Sequence, residues 1–152
     1  MRTVEEIMTK NVVSVPPDML LCEAVRIIME NDFDGVPVLE NGMLVGILTQ
    51  YDLISKGTAL HLPTMQYMLE RIPVDKKDKA EFREKLKDVL NLCVRDLMNP
   101  EPLVFQAGDT YEHAVKTFRD HHRVNPIPVV DDTHHVIGIV SRYDILKLFE
   151  EI

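Results

Sequence analysis

Apolar residues recur at helical spacing in two separate stretches of the chain. Residues three or four positions apart lie on one face of a helix, so each stretch predicts an amphipathic helix whose apolar face packs in a core. The two faces consist of Leu21, Ala24, Val25 and Ile28 in the first stretch, and of Tyr111, Ala114, Val115 and Phe118 in the second.

Each predicted helix is followed by two short apolar runs with a turn between them. Runs of four or five apolar residues bounded by turn residues are typical of buried strands. The runs are 36–39 and 44–48 after the first helix, and 127–130 and 136–140 after the second. Short amphipathic turns at 4–8 and 94–98 open each series, β-rich stretches at 12–15 and 103–105 come next, and helices at 51–55 and 143–150 close it. The order strand, helix, strand, strand, helix is thus predicted twice.

The two series are copies of one unit. When two single-residue slips are allowed, the identical positions are Val4/Val94, Met8/Met98, Ala24/Ala114, Val25/Val115, Pro37/Pro128, Val38/Val129, Gly46/Gly138, Ile47/Ile139, Tyr51/Tyr143 and Asp52/Asp144. A unit repeated only twice cannot form a solenoid. We therefore expect an α+β fold of two similar halves packed about a pseudo-twofold axis, with any ligand site between them.

The segment between the copies has no counterpart elsewhere in the chain. It changes from a Met-rich, apolar part to a charged part in which a one-sided apolar stripe predicts a helix. The predicted organisation is a first repeat over 1–56, a helical insertion over 57–93 that packs on the module or on a partner, and a second repeat over 94–152.

Composition narrows the function. The 152 residues are 45% hydrophobic and carry a net charge of −8, which fits one compact domain and disfavours a nucleic-acid partner, since a duplex binder needs a basic face. No apolar stretch reaches membrane-spanning length, and Arg2, Glu5 and Glu6 stand where a secretory signal needs apolar residues. We expect a cytoplasmic protein without a membrane partner.

Cys22 and Cys93 lack paired spacing, so we expect both to be reduced and buried.

The repeated motif resembles the CBS domain, a family that takes its name from cystathionine beta-synthase and normally occurs in tandem. The resemblance covers about 110 residues, and the residues that carry it in the first copy are Gly35, Val36, Pro37, Val38, Val45, Gly46, Ile47, Leu48, Thr49 and Asp52. It implies a βαββα fold for each repeat and two clefts that hold adenine nucleotides or S-adenosyl compounds. In this family such clefts commonly regulate an enzyme, transporter or channel.

The resemblance also implies which residues form each cleft, since every cleft draws on both copies. An Asp at the start of the last helix can accept hydrogen bonds from ribose hydroxyls, although capping of the helix alone also explains such an Asp. One expected site combines Ile47, Thr49 and Asp52 with Met98, Glu101, Leu103, Val124, Asn125 and Pro126. The other combines Ile139, Ser141 and Asp144 with Met8, Asn11, Val13, Phe33, Asp34 and Gly35.

The two expected sites differ in charge. His121, His122 and Arg123 lie close in sequence to the first site, whereas Asp32 and Asp34 lie near the second, where Arg142 partly offsets the acidity. Pro126 replaces the usual Gly of the family, and Glu101 stands where a neutral residue would suit an anion. We expect one good site at Asp52 and a second that is weak or selective for a less anionic adenosine ligand.

Three other functions compete with ligand sensing. No nucleophile motif or Gly-rich phosphate loop supports an enzyme, so no catalytic residues are assigned. Five of the six histidines fall in the second copy, but their spacing does not suit a metal site, so no metal ligands are assigned. A structural pair that dimerises without a ligand remains open. The ligand expected is AMP, ADP, ATP or an S-adenosyl compound, with no cofactor required, and the partners expected are a second copy of the chain and an effector on another chain.

Overall fold

The computed structural model describes residues 1–59 and 91–152. Within the first copy these residues form α1 (Val4–Ile7), α2 (Leu21–Glu30), β1 (Gly35–Glu40), β2 (Met43–Thr49) and α3 (Gln50–Ala59). The second copy forms α4 (Val94–Leu97), β3 (Phe105–Gln106), α5 (Tyr111–Asp120), β4 (Ile127–Val130), β5 (Val136–Val140) and α6 (Arg142–Leu146), which continues as a 3₁₀ helix over Lys147–Glu151. The α+β class is confirmed, while the predicted helical insertion falls mostly on residues outside the described ranges and stays a prediction.

The strands form one small sheet in each half. β1 and β2 pair antiparallel with Val36 opposite Leu48, and β4 and β5 pair in the same way with Ile127 opposite Val140. β3 adds a parallel edge to the second sheet. The predicted strand at 12–15 is wrong: only Val15 makes a bridge, to Val38, because Pro16 follows at once and cannot donate to a ladder.

The hydrophobic core of each half contains the first helix of the other half. The core of the first half contains α2, β1 and β2 together with Val94 and Leu97 from α4. The core of the second half contains Phe105, Phe118 and the β4–β5 pair together with Val4 from α1. Each short helix is therefore buried on the opposite repeat, since Val4 and Val94 are both fully inaccessible to solvent.

Reciprocal backbone pairing joins the halves. Thr9 and Ile139 exchange hydrogen bonds of 2.8 and 3.0 Å, and the equivalent pair Asn99 and Ile47 exchanges bonds of the same lengths. The turns of the two hairpins also meet, where Met43 bridges to His135. These matched contacts are those of two halves related by a pseudo-twofold axis.

The expectation that both cysteines are buried is wrong. Cys22 is exposed, because it follows the buried Leu21 on α2 and a step of about 100° turns it toward solvent. Cys93 is half-buried, because it occupies the N-cap position of α4 and lies outside the packed turn. Both thiols are free, as predicted.

Candidate functional site

An aspartate in the first turn of the last helix anchors each half of the candidate site. In the first half, Asp52 Oδ2 accepts hydrogen bonds from the Thr49 backbone N–H at 3.2 Å and from its hydroxyl at 2.9 Å. The Thr49 hydroxyl oxygen in turn accepts from the Asp52 N–H at 3.2 Å. Helix α3 thus begins with a reciprocal cap, and Asp52 is only 8% exposed.

The second half repeats this arrangement. Asp144 Oδ2 accepts from the Ser141 backbone N–H at 2.8 Å and from its hydroxyl at 3.1 Å, and Asp144 is 5% exposed. Capping accounts for one carboxylate oxygen of each aspartate. The second oxygen, Oδ1, takes no part in either cap and is the atom that can serve a ligand.

A lysine faces the Oδ1 atom of each aspartate, but the two lysines are bonded differently. Lys147 donates a hydrogen bond of 2.9 Å to Asp144 Oδ1, and this bond raises the pKa of Lys147 above its usual value. Lys56 Nζ lies 3.7 Å from Asp52 Oδ1 and donates at 2.8 Å to the carbonyl of Leu97 in the opposite repeat. Asp52 is therefore the less tightly paired of the two carboxylates.

The Asp52 cleft is a cavity of about 190 Å³ formed by both repeats. The structure brings together there all the residues expected at this site except Met98. The residues that line it are Ile47, Thr49, Tyr51, Asp52, Asn99, Glu101, Pro102, Leu103, Arg123, Val124, Asn125 and Pro126. Tyr51, Asn99 and Pro102 were not expected, although the identity of Tyr51 with Tyr143 was a usable signal.

The Asp144 cleft is larger, at about 280 Å³, close to the lower end of the roughly 300–1,000 Å³ of common ligand pockets. It brings together all the residues expected at this site except Met8. The residues that line it are Thr9, Asn11, Val12, Val13, Asp32, Phe33, Asp34, Gly35, Pro126, Ile139, Ser141, Tyr143, Asp144 and Lys147. Pro126 contributes to both clefts, and Lys147 had no signal in the repeated motif.

Met8 and Met98 do not line the clefts because each packs over a glycine of the opposite repeat. A Cβ atom built on Gly46 would lie 2.6 Å from Met98 Sδ, and one built on Gly138 would overlap Met8 Sδ. Because glycine has no side chain, each strand leaves room at this position for the thioether. This contact explains why a methionine and a glycine are among the few positions that are identical in both copies.

The cations near the clefts differ from the sequence-based expectation. Arg123 does line the Asp52 cleft, where it donates a hydrogen bond of 2.9 Å to the Tyr51 hydroxyl and lies 5.4 Å from the centre of that ring. His121 and His122 do not line it. The expectation that Arg142 offsets the acidity of the second cleft is wrong, because its guanidinium stacks over Phe118 and bonds the His121 carbonyl.

Across residues 1–59 and 91–152, no helix has both the length and the apolar character that crossing a membrane requires. Across the same ranges, no three His, Cys, Asp or Glu side chains cluster in a way that could hold a metal ion.

Relatives of known sequence resemble the chain over most of its length. The uncharacterized protein MJ1426 of Methanocaldococcus jannaschii is 33% identical over 95% of this chain and 89% of its own length. CBSX1, a chloroplastic CBS domain-containing protein of Arabidopsis thaliana, is 30% identical over 95% of this chain and 63% of its own. Inosine-5'-monophosphate dehydrogenase of M. jannaschii contains a similar segment. It is 27% identical over 94% of this chain, which corresponds to 23% of the length of the enzyme.

Solved structures share the fold. CBSX2 in complex with AMP superposes with a TM-score of 0.73 at 26% identity, covering 99% of this chain and 98% of that chain. The CBS domain pair of protein MJ0100, in complex with 5'-methylthioadenosine and S-adenosyl-L-methionine, superposes with a TM-score of 0.71 at 21% identity and the same coverage. The family model for the CBS domain matches residues 4–58 and 94–151. These two matches span most of the chain, which therefore belongs to the CBS domain family as a pair of repeats.

Proposed function

We propose that this chain is a regulatory module that binds an adenosine-containing ligand in the clefts between its two repeats. The observation that carries the proposal is the pair of buried aspartates, Asp52 and Asp144, each of which lines a cleft formed by both halves. In each aspartate Oδ2 is engaged by the helix cap, and Oδ1 can accept hydrogen bonds from ribose hydroxyls. The proposed ligands are AMP, ADP, ATP or an S-adenosyl compound, and no catalytic role or cofactor is included.

The comparison with CBSX2 supports an adenine nucleotide as the ligand. That protein holds AMP, and its likeness extends over nearly the whole of both chains. Arg123 supports the same choice, because it lines the Asp52 cleft and a guanidinium suits the binding of a phosphate. We therefore propose the Asp52 cleft as the better site for a phosphorylated ligand.

Self-association is the second part of the proposal. Leu146 is 57% exposed and Phe149 is 67% exposed on the last helical segment, so this segment presents apolar surface that a second copy of the chain can cover. A bound ligand would change the relative placement of the two repeats, since each cleft is formed by both. An effector protein on another chain would respond to this change.

Ligand-linked stability tests the proposal directly. A ligand at 100 times its dissociation constant stabilises a fold by about 2.7 kcal/mol, which corresponds to a rise in melting temperature of roughly 5–10 °C for a chain of this size. We expect AMP, ADP, ATP or S-adenosylmethionine to produce such a shift on apo protein. The shift should fall in Asp52→Asn, which keeps the shape of the cap, and should vanish when Asp144→Asn is added.

Asp120→Asn is a matched control, because among the described residues the ion-pair partners of Asp120 are the exposed Lys116 and Arg119 of α5, which lie outside both clefts. A melting temperature that stays constant across the adenosine panel would favour the structural pair without a ligand. A shift that only zinc or nickel produces would favour a metal sensor.

A further inference from the structure

Lys147 engages the carboxylate oxygen that a ribose would need in the Asp144 cleft. Its ammonium lies 2.9 Å from Asp144 Oδ1, while Oδ2 already accepts two hydrogen bonds from Ser141. Both oxygens of this buried carboxylate therefore have donors from the chain itself. A carboxylate oxygen has about two acceptor positions, so a ribose that donates both of its hydroxyls to Oδ1 competes with the Lys147 ammonium for them.

The first copy does not present this obstacle. Lys56 follows Asp52 by four residues, and its ammonium bonds the Leu97 carbonyl at 2.8 Å while remaining 3.7 Å from Asp52 Oδ1. Lys147 follows Asp144 by only three residues and opens the 3₁₀ segment. The repeats thus share the aspartate and differ in the position of the cation beside it.

Lys147 is also the only lysine or arginine among the described residues that line the Asp144 cleft. Three aspartates line the same cleft, namely Asp32, Asp34 and Asp144. A ligand with several negative charges meets repulsion from the two carboxylates that the lysine does not pair. A ligand with no negative charge would leave the displaced ammonium without its partner.

We propose that Lys147 is the specificity-determining residue of the Asp144 cleft and selects adenosine compounds that carry a single anionic group. This inference rests on the proposed function. When the ribose hydroxyls take over Asp144 Oδ1, the ammonium turns from the carboxylate to the anionic group of the ligand. The side chain suits this exchange, since it is 51% exposed and its ammonium sits on a flexible four-carbon stem. AMP is the simplest probe of this class.

Calorimetric titration in an Asp52→Asn background, which confines binding to the Asp144 cleft, tests the role of Lys147. We expect AMP to bind more tightly than either adenosine or ATP. In Lys147→Met, AMP should bind about tenfold more weakly because a charge-assisted hydrogen bond is lost, and adenosine about fivefold more tightly because no half-exposed ion pair has to break. Lys147→Arg should keep the preference for AMP. Lys116→Met, which removes an exposed lysine outside both clefts, is the control and should leave both affinities unchanged.

Several results would overturn the inference. Equal shifts in the affinities for adenosine and AMP in Lys147→Met would show that the lysine does not discriminate, and so would an Arg variant that behaves like the Met variant. Loss of all binding in the Asp52→Asn background would show that the Asp144 cleft takes no ligand. Wild-type protein that binds none of the probes would overturn the proposed function as well, whereas binding with an unchanged ratio overturns only the role of Lys147.

Discussion

Adding one methyl group at Gly46 should destabilise the interface between the repeats. The new Cβ would lie 2.6 Å from Met98 Sδ and 2.9 Å from the Asn99 carbonyl oxygen, both closer than van der Waals contact. The thioether can turn away, but the carbonyl cannot move freely because it accepts the 3.0 Å hydrogen bond from Ile47 N–H that joins the halves. Overpacking of this kind costs about 1–3 kcal/mol. We expect Gly46→Ala to lower the free energy of unfolding by about 2 kcal/mol, and the melting temperature by roughly 4–8 °C.

The chain offers a matched control and a contrasting position for this experiment. Gly108→Ala should change stability by less than about 0.5 kcal/mol, since a Cβ there meets nothing within 4 Å. Gly138 is the contrasting position because the three atoms nearest to a Cβ built there all belong to the Met8 side chain. In Met8→Ala, the further change Gly138→Ala should therefore cost much less than it does in the wild type, since only the contact of 3.2 Å with the Cβ atom of residue 8 remains. In Met98→Ala, Gly46→Ala should keep about half its cost because the Asn99 carbonyl remains.

Urea denaturation of the single and double variants measures their free energies of unfolding, and the departure from additivity gives the coupling energy of each glycine and methionine pair. The reasoning fails if Gly46→Ala is as stable as Gly108→Ala. It also fails if the effects of Gly138→Ala and Met8→Ala simply add, since the proposed steric contact requires that each change alters the cost of the other.

Three further predictions concern charge and association. Arg123→Ala should weaken AMP binding about tenfold while leaving adenosine binding nearly unchanged, as seen by calorimetry in an Asp144→Asn background; an equal loss for both ligands would contradict a phosphate role for Arg123. Because Asp144 raises the pKa of Lys147 above 10.5, the stabilisation from this pair is present below that pH and is lost as the pH rises through the raised pKa. The stability difference between the wild type and Lys147→Met should thus be constant from about pH 6 to 9 and smaller near pH 11, and a difference that does not change at high pH would refute the pairing. Phe149→Glu should shift light scattering toward the monomer, and a wild-type protein that is monomeric at high concentration would remove the proposed dimer.

Most of the fold was predictable because the same pattern of apolar residues occurs in both copies, and each copy predicts the same helix and strand packing. The helix faces around Ala24 and Ala114 and the strand pairs around Val38 and Val129 lie where the pattern places them. The absence of a regular strand at 12–15 was not predictable from the apolar residues, because they cannot reveal that Val12 and Val13 line a cleft instead of pairing in a sheet.

The composition of the clefts was predictable through the family resemblance, and their electrostatics were not. Sequence neighbours of a cleft need not face it: Arg142 is adjacent to Ser141, yet its side chain stacks on Phe118. Lys147 comes three residues after Asp144, and whether such a lysine pairs with the carboxylate depends on the local helix geometry. Met8 and Met98 were assigned to the clefts on the family resemblance, whereas in the structure each fills the space above a glycine.

The exchange of α1 and α4 between the cores has a consequence for how such a chain could arise. A solitary ancestral repeat would have exposed the groove that Val4 or Val94 fills, and a second identical molecule could have filled it with its own leading turn. Reciprocal swapping would then have produced a symmetric dimer before any gene duplication joined the two units. Fusion of two such genes would have kept this exchange within one chain and allowed the two clefts to differ, as they do in the contact that each lysine makes with its aspartate.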